Sequence, residues 1–113
     1  MLTVSVVIPA RNDGAALGTA VESIRTQQDV VISEIAIAVG PSTDDTKAEA
    51  NRLAATDPGI LVLDNPTGLT PAGLNIAIAN TTGDVVVRVD ARSQLPPDYI
   101  KHALETMNAT GAA

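Results

Sequence analysis

Four short runs dominated by Val, Ile, Leu and Ala, namely Thr3 to Ile8, Ile35 to Val39, Ile60 to Leu63 and Val85 to Val89, constrain this chain more than any other feature. A strand with one wet face alternates apolar and polar residues, whereas a strand covered on both faces is apolar at most positions, as parallel strands between helices are. The runs are too short for helices and rich in β-branched residues, so they are expected to be strands of one covered sheet.

The segments between them carry helical spacing. From Gly14 to Gln28, Leu17, Ala20, Val21 and Ile24 follow i, i+3, i+4, i+7, with Asn12 or Asp13 placed to cap. A second helix is expected over about Thr43 to Ala55, with Ser42 as N-cap, Ala50, Leu53 and Ala54 inward and Lys47, Glu49 and Arg52 toward water. The third opens at Thr70-Pro71, a cap followed by proline, turns Leu74, Ala77 and Ile78 inward, and stops at Thr81-Thr82-Gly83. A last helix follows Pro96-Pro97 and lines up Ile100, Ala103, Leu104 and Met107. Strictly alternating strands and helices give an α/β fold: a mainly parallel four-stranded sheet with helices on both faces, one domain over residues 1–113.

Composition removes several function classes. Tyr99 is the sole aromatic and the net charge is −6, so the chain has neither the stacking platforms nor the basic surface that nucleic acid requires, and an anionic membrane surface would repel it. There is no cysteine, which excludes disulfides and thiolate metal sites. The start Met1-Leu2-Thr3-Val4 enters a strand without a signal-like region, and no apolar stretch approaches the roughly 20 residues of a membrane helix. The expected setting is cytoplasmic, with no membrane contact by this segment.

In open parallel sheets, ligands bind outside the carboxyl ends of the strands. Four loops lie there: Pro9 to Asp13, Gly40 to Asp45, Asp64 to Gly68, and Asp90 to Ser93. The first lacks the Gly-x-Gly-x-x-Gly fingerprint of dinucleotide binders, and no P-loop is present. His102, the only histidine, sits in the last helix and is read as an ordinary helix residue.

Three strings, VSVVIPARND, EIAIAVGPSTDDT and GLNIAIANTTGDVVVRVDARSQLPPDY, resemble in order and spacing the family-2 glycosyltransferases of GT-A fold, most closely the bacterial exopolysaccharide type that includes succinoglycan-synthesis enzymes. The likeness runs from Val4 to about Tyr99. It implies a Rossmann-like half of such a fold, the donor-binding part of an inverting transferase that moves sugar from a nucleoside-diphosphate sugar to a polysaccharide or lipid-linked acceptor. In the resembling family the loop after the first strand lies against the base, which places Pro9, Ala10, Arg11 and Asn12 there, and an Arg guanidinium stacks well on an aromatic ring. Asn75 matches a family asparagine near the sugar-phosphate site. Asp90 matches the first acid of the family's Asp-x-Asp, where a Mg2+ or Mn2+ ion would bridge the two phosphates of the donor.

Two departures stand out. The family's acids that read the uracil edge are replaced by Val39-Gly40-Pro41, leaving backbone groups near Gly40 for that task. Arg92 replaces the second acid of the metal motif and cannot ligate a metal; it is expected to assist by contacting phosphate, with Arg88 in a partly buried pair with Asp90 or another carboxylate. The general base of inversion lies further on in the family, beyond Ala113, and the tail Asn108 to Ala113 is read as a cut. This portion is therefore expected to be inactive alone, the full-length protein lying at the cytoplasmic face of the membrane. The alternative from another class is a non-catalytic interaction module that kept the fold and lost donor binding.

Overall fold

The computed structural model describes residues 2–110; Met1 and the last three residues of the tail lie outside them. The elements alternate as β1 (Thr3–Ala10), α1 (Gly14–Arg25), β2 (Val31–Val39), α2 (Thr46–Thr56), β3 (Ile60–Asp64), α3 (Thr70–Ala79), β4 (Val85–Arg88) and α4 (Tyr99–Thr110). All strands are parallel in the order β3-β2-β1-β4. The chain thus builds outward from β1 through β2 to β3 and then returns to β1's other side. The carboxyl ends of β1 and β4 meet where the order reverses, which is where such sheets leave a crevice.

Side-chain alternation along the strands divides the core in two. Val4, Val6, Ile8 and Ala10 of β1 join Leu17, Val21 and Ile24 of α1, Ala50 and Leu53 of α2, and Ile100 of α4 on one face. On the other, Val7, Ala36, Ala38 and Ala77 make a smaller cluster under α3. Helices therefore cover both faces, as the apolar runs imply, but continuous burial is confined to the two central strands, over Val4 to Ile8 of β1 and Ile35 to Val39 of β2. β4 is an edge strand and its pattern alternates: Val87 packs into the larger cluster while Val86 is 39% exposed. In α3 the inward positions are Gly73 and Ala77, four apart, with Leu74 half-buried beside them; Ile78, expected inward, is exposed. Gly73 lets α3 approach β2 closely, since a Cβ there would meet Asn65 Nδ2 at 2.7 Å and Ala38 Cβ at 3.5 Å.

Several helix ends differ from their sequence-based expectations. α2 begins at Thr46, not Thr43, and it is Asp44, not Ser42, whose carboxylate accepts the Thr46 amide at 3.0 Å. Leu69, not Thr70, occupies the cap position of α3, and its carbonyl is held by Asn65 Nδ2 at 2.9 Å. α1 stops at Arg25 because Gln27 turns inward. Its buried amide donates to the Pro96 carbonyl at 2.6 Å and accepts the Ile100 amide at 2.8 Å, pinning the start of α4.

At the amino edge of the sheet, buried Ser5 locks β4 to β1. Its hydroxyl donates to Glu34 Oε1 at 2.7 Å and accepts the Gly83 amide at 2.8 Å, while Thr82 also donates its amide to Glu34. These donors hold the Glu34 carboxyl below its ordinary range, the Thr82 amide contributing most and the Ser5 hydroxyl next. Among the described residues, no helix is long and apolar enough to cross a membrane.

Candidate functional site

The loops after β1, β2 and β4 are laced into one rim. Asn12, in the left-handed region at φ 54°, donates its amide to Ser42 Oγ at 3.0 Å and accepts the Thr43 amide on its side chain at 2.8 Å. Asp13 donates its amide to Thr46 Oγ1 at 2.9 Å. Asp44 accepts from Gly14 N at 3.1 Å, so this one carboxylate serves the first amides of both α1 and α2. It also accepts the Thr46 hydroxyl, which is the main reason its carboxyl lies below the ordinary value. Ser42, Thr43 and Asp44 are thus the joint between two loops.

Arg92 closes the ring from the β4 side. Its Nε donates to Asp13 Oδ1 at 2.6 Å and its Nη2 to the Asn12 carbonyl at 3.3 Å. Asp13 in turn accepts the Arg11 amide at 2.9 Å, so the carboxylate expected to cap α1 instead ties together its own loop and that of β4. Arg92, expected to reach phosphate directly, is engaged with protein acceptors along part of its guanidinium, though the residue is largely exposed.

Asp90 lies one loop residue beyond buried Val89, whose amide donates to the Val7 carbonyl at 3.0 Å and extends the β1–β4 ladder to the rim. Arg88 pairs with it, Nη2 to Oδ1 at 3.2 Å, as the two-residue spacing implies. The pair is not buried: the side chains are 52% and 69% exposed, at the end of an edge strand. Together with Ser93, Leu95 and Tyr99 they line a shallow cavity of about 210 Å3. Among the described residues no three His, Asp or Glu side chains converge as a metal site. A single carboxylate suits a Mg2+-like ion only when phosphate oxygens and water complete its shell, and Asp90 keeps Oδ2 for that.

A larger cleft of about 450 Å3 opens between the ends of β2 and β3, lined by Val39, Gly40, Pro41, Ser42, Lys47 and Asp64 among others. Two glycines meet beside it: a Cβ on Gly40 would stand a tight 3.1 Å from Gly68 Cα, and Gly68 itself has φ +68°, a conformation that favours glycine. A Cβ on Gly68 would meet the Arg11 guanidinium at 3.6 Å, which places that planar cation against the β3 loop, beside the cleft. Half-buried Pro9 and buried Ala10 end the adjoining β1, with the Ala10 carbonyl accepting the Gly40 amide at 2.9 Å.

The structure therefore brings Pro9, Ala10, Arg11, Asn12, Gly40, Asp90 and Arg92 to one rim. It does not tie Asn75 to it: that side chain is exposed in the middle of α3, and no described hydrogen bond links it to the loops. Sequence reasoning passed over Lys47 and Asp64, an ion pair across the cleft, and buried Asn65, which organises the β3 loop through Leu69 and Thr67. The polar cluster Asp64-Asn65 directly after a strand was the only signal for them.

A model of Glycosyl transferase family 2 matches residues 5–113. Succinoglycan biosynthesis protein ExoA of Rhizobium meliloti (strain 1021) is 37% identical over 109 residues, covering 95% of this chain and 33% of that protein. Among solved structures, the mannosyltransferase PcManGT from Pyrobaculum calidifontis, in complex with GDP-Man and Mn2+, superposes with a TM-score of 0.78 at 27% identity over 92% of this chain and 32% of its own. Glucosyl-3-phosphoglycerate synthase from Mycobacterium tuberculosis, in complex with Mn2+, UDP and glucosyl-3-phosphoglycerate, gives 0.63 at 29% identity over 80% and 33%. The chain spans about a third of the length of each of these three proteins.

Proposed function

Because the chain belongs to glycosyl transferase family 2 and has the α/β layer of a GT-A glycosyltransferase, we propose that residues 1–113 form the donor-binding portion of an inverting enzyme that builds a polysaccharide or lipid-linked glycan from a nucleoside-diphosphate sugar. The observation that carries this reading is the position of Asp90: at the carboxyl rim, on a loop joined through Arg92, Asp13 and Asn12 to Ser42.

In this reading the base enters the cleft beside Arg11 and Gly40, and the diphosphate extends from it toward Asp90. A divalent ion, Mg2+ or Mn2+, would be held by Asp90 together with phosphate oxygens, and it would screen the charge of the departing nucleoside diphosphate. Arg88 orients the Asp90 carboxylate through Oδ1. Arg92 adds positive charge at the rim while its bond to Asp13 fixes the loop, so its contribution is first to position and then to attract. The base that deprotonates the acceptor hydroxyl is assigned to the part of the relatives' length that this chain does not span, and the 113 residues are expected not to transfer sugar alone. The setting proposed is the cytoplasm, with the full-length protein at the membrane face.

Calorimetric titration with UDP and GDP, first with Mn2+ and then with chelator, tests the proposal. Binding that weakens on chelation and is lost in Asp90→Ala is expected. Binding of neither nucleotide under all of these conditions would instead favour a non-catalytic interaction module.

A further inference from the structure

Gly40's own backbone groups are engaged: its amide donates to the Ala10 carbonyl at 2.9 Å, its carbonyl accepts the Ser42 hydroxyl at 3.0 Å, and Pro41 has no amide hydrogen to offer. The other polar side chains of the cleft are also engaged in holding loops. Asp44 serves Gly14 and Thr46, Ser42 takes the Asn12 amide, and Asn65 bridges Leu69 and Thr67. Lys47 from α2 and Asp64 from the end of β3 are different, since the one cation among the residues lining the cleft and this carboxylate bond one another across it. Both are exposed, 47% and 79%, and an ion pair so placed contributes little to folding.

We propose that Lys47 and Asp64 determine which nucleotide base this cleft accepts, selecting bases that present a ring carbonyl beside a ring N–H. This rests on the donor-binding reading above. An ammonium next to a carboxylate offers a donor beside an acceptor. Uracil presents the complement at O4 and N3–H, and guanine presents it at O6 and N1–H, with its 2-amino group adding a second proton for the carboxylate. Cytosine and adenine carry the reverse pattern, an amino group beside an unprotonated ring nitrogen; the carboxylate would face that nitrogen's lone pair and the ammonium the amino hydrogens. Setting donor against donor and acceptor against lone pair leaves both groups without a partner in the bound state, and that mismatch is what discriminates. On binding, the pair exchanges its mutual bond for bonds to the base, a small loss because the pair is solvated.

The test is an equilibrium titration of the chain with UDP, GDP, CDP and ADP at one fixed Mg2+ concentration. UDP and GDP should bind about tenfold or more tighter than CDP and ADP, the size expected when a site's hydrogen-bonding groups are matched or mismatched. Asp64→Asn, whose amide can donate to the cytosine ring nitrogen and accept from its amino group, should weaken UDP and GDP and bring CDP level with them. Lys47→Met should weaken UDP and GDP while leaving CDP unchanged. Both variants should keep the wild-type urea midpoint, so a loss of preference reports on the cleft and not on folding. Equal binding of all four nucleotides, any other ranking, or a ranking that Asp64→Asn leaves intact overturns the assignment while Asp90-dependent binding keeps the donor-binding reading. Absence of binding by all four overturns both.

Discussion

Gly83 stands where β4 is fastened to β1, and replacing it by Ala should be among the most damaging single changes to this fold. A Cβ at that position would lie 2.4 Å from Ser5 Oγ, 2.7 Å from Ser5 N and 3.1 Å from Val4 C. Val4 and Ser5 are fully buried in a central strand flanked by β2 and β4, so their backbone has no free direction in which to retreat. Forcing an extra methyl into a packed site costs about 1–3 kcal/mol. Separating the strands also weakens the Gly83 amide bond to Ser5 and the Ser5 bond to Glu34, each worth about 1 kcal/mol. A total near 3 kcal/mol is a large share of the roughly 5–15 kcal/mol by which a domain of this kind is stable. Urea unfolding followed by circular dichroism should show the midpoint fall accordingly, with Tm lower by about 15 °C. The double variant Ser5→Gly with Gly83→Ala removes the Oγ contact and leaves both backbone contacts, so it should recover less than half of the loss. A Gly83→Ala protein within about 0.5 kcal/mol of wild type, inside the range of an ordinary surface change, would refute the close-approach argument.

Acid should destabilise the protein through Glu34 and Asp44, whose carboxyls the fold holds below their ordinary values of 4.5 and 3.8. A lowered folded value means stability that is fully present above the ordinary value and drains away as pH falls through the folded one, so the urea midpoint should be flat near neutrality and drop below about pH 4.5; Glu34→Gln should make that acid slope shallower. Leu17→Ala, at a fully buried α1 position, should cost about 3 kcal/mol with the urea m-value unchanged. Arg92→Ala should change stability by less than about 1 kcal/mol because the pair with Asp13 is solvent-accessible on the Arg side. If Arg92 acts chiefly as a tether, Asp13→Asn should weaken nucleoside diphosphate binding as much as Arg92→Ala does, and the double variant no further; additive losses would assign Arg92 a separate phosphate contact.

The sheet and its four helices were legible in the residue pattern because β-branched runs and the spacing of Leu17, Ala20, Val21 and Ile24 answer to local geometry. β2 proved four residues longer than its apolar run, starting at Val31, since Ser33 and Glu34 serve the amino edge of the sheet through the Val4 carbonyl and Ser5. Asp13 does occupy the N-cap position of α1, but its carboxylate, like the Ser42 hydroxyl expected to cap α2, serves a neighbouring loop, a choice that only the topology decides. The Asp90 loop could be placed from sequence, being fixed by a strand end. Lys47 and Asp64 could not: they are 17 residues apart and meet only because β3 pairs beside β2, a fact of strand order that no local pattern carries. The exposure of the Arg88 and Asp90 pair follows in the same way from β4 lying at the sheet edge.

Paramagnetic broadening of amide resonances by Mn2+ in the presence of UDP or GDP bears most directly on the whole account. Broadening should be strongest at Asp90, Ala91 and Arg92, extend to Asn12, require the nucleotide, and vanish in Asp90→Ala. Broadening centred on the Glu34 and Gly83 edge, or unchanged when Asp90 is removed, would contradict a diphosphate site at the carboxyl rim.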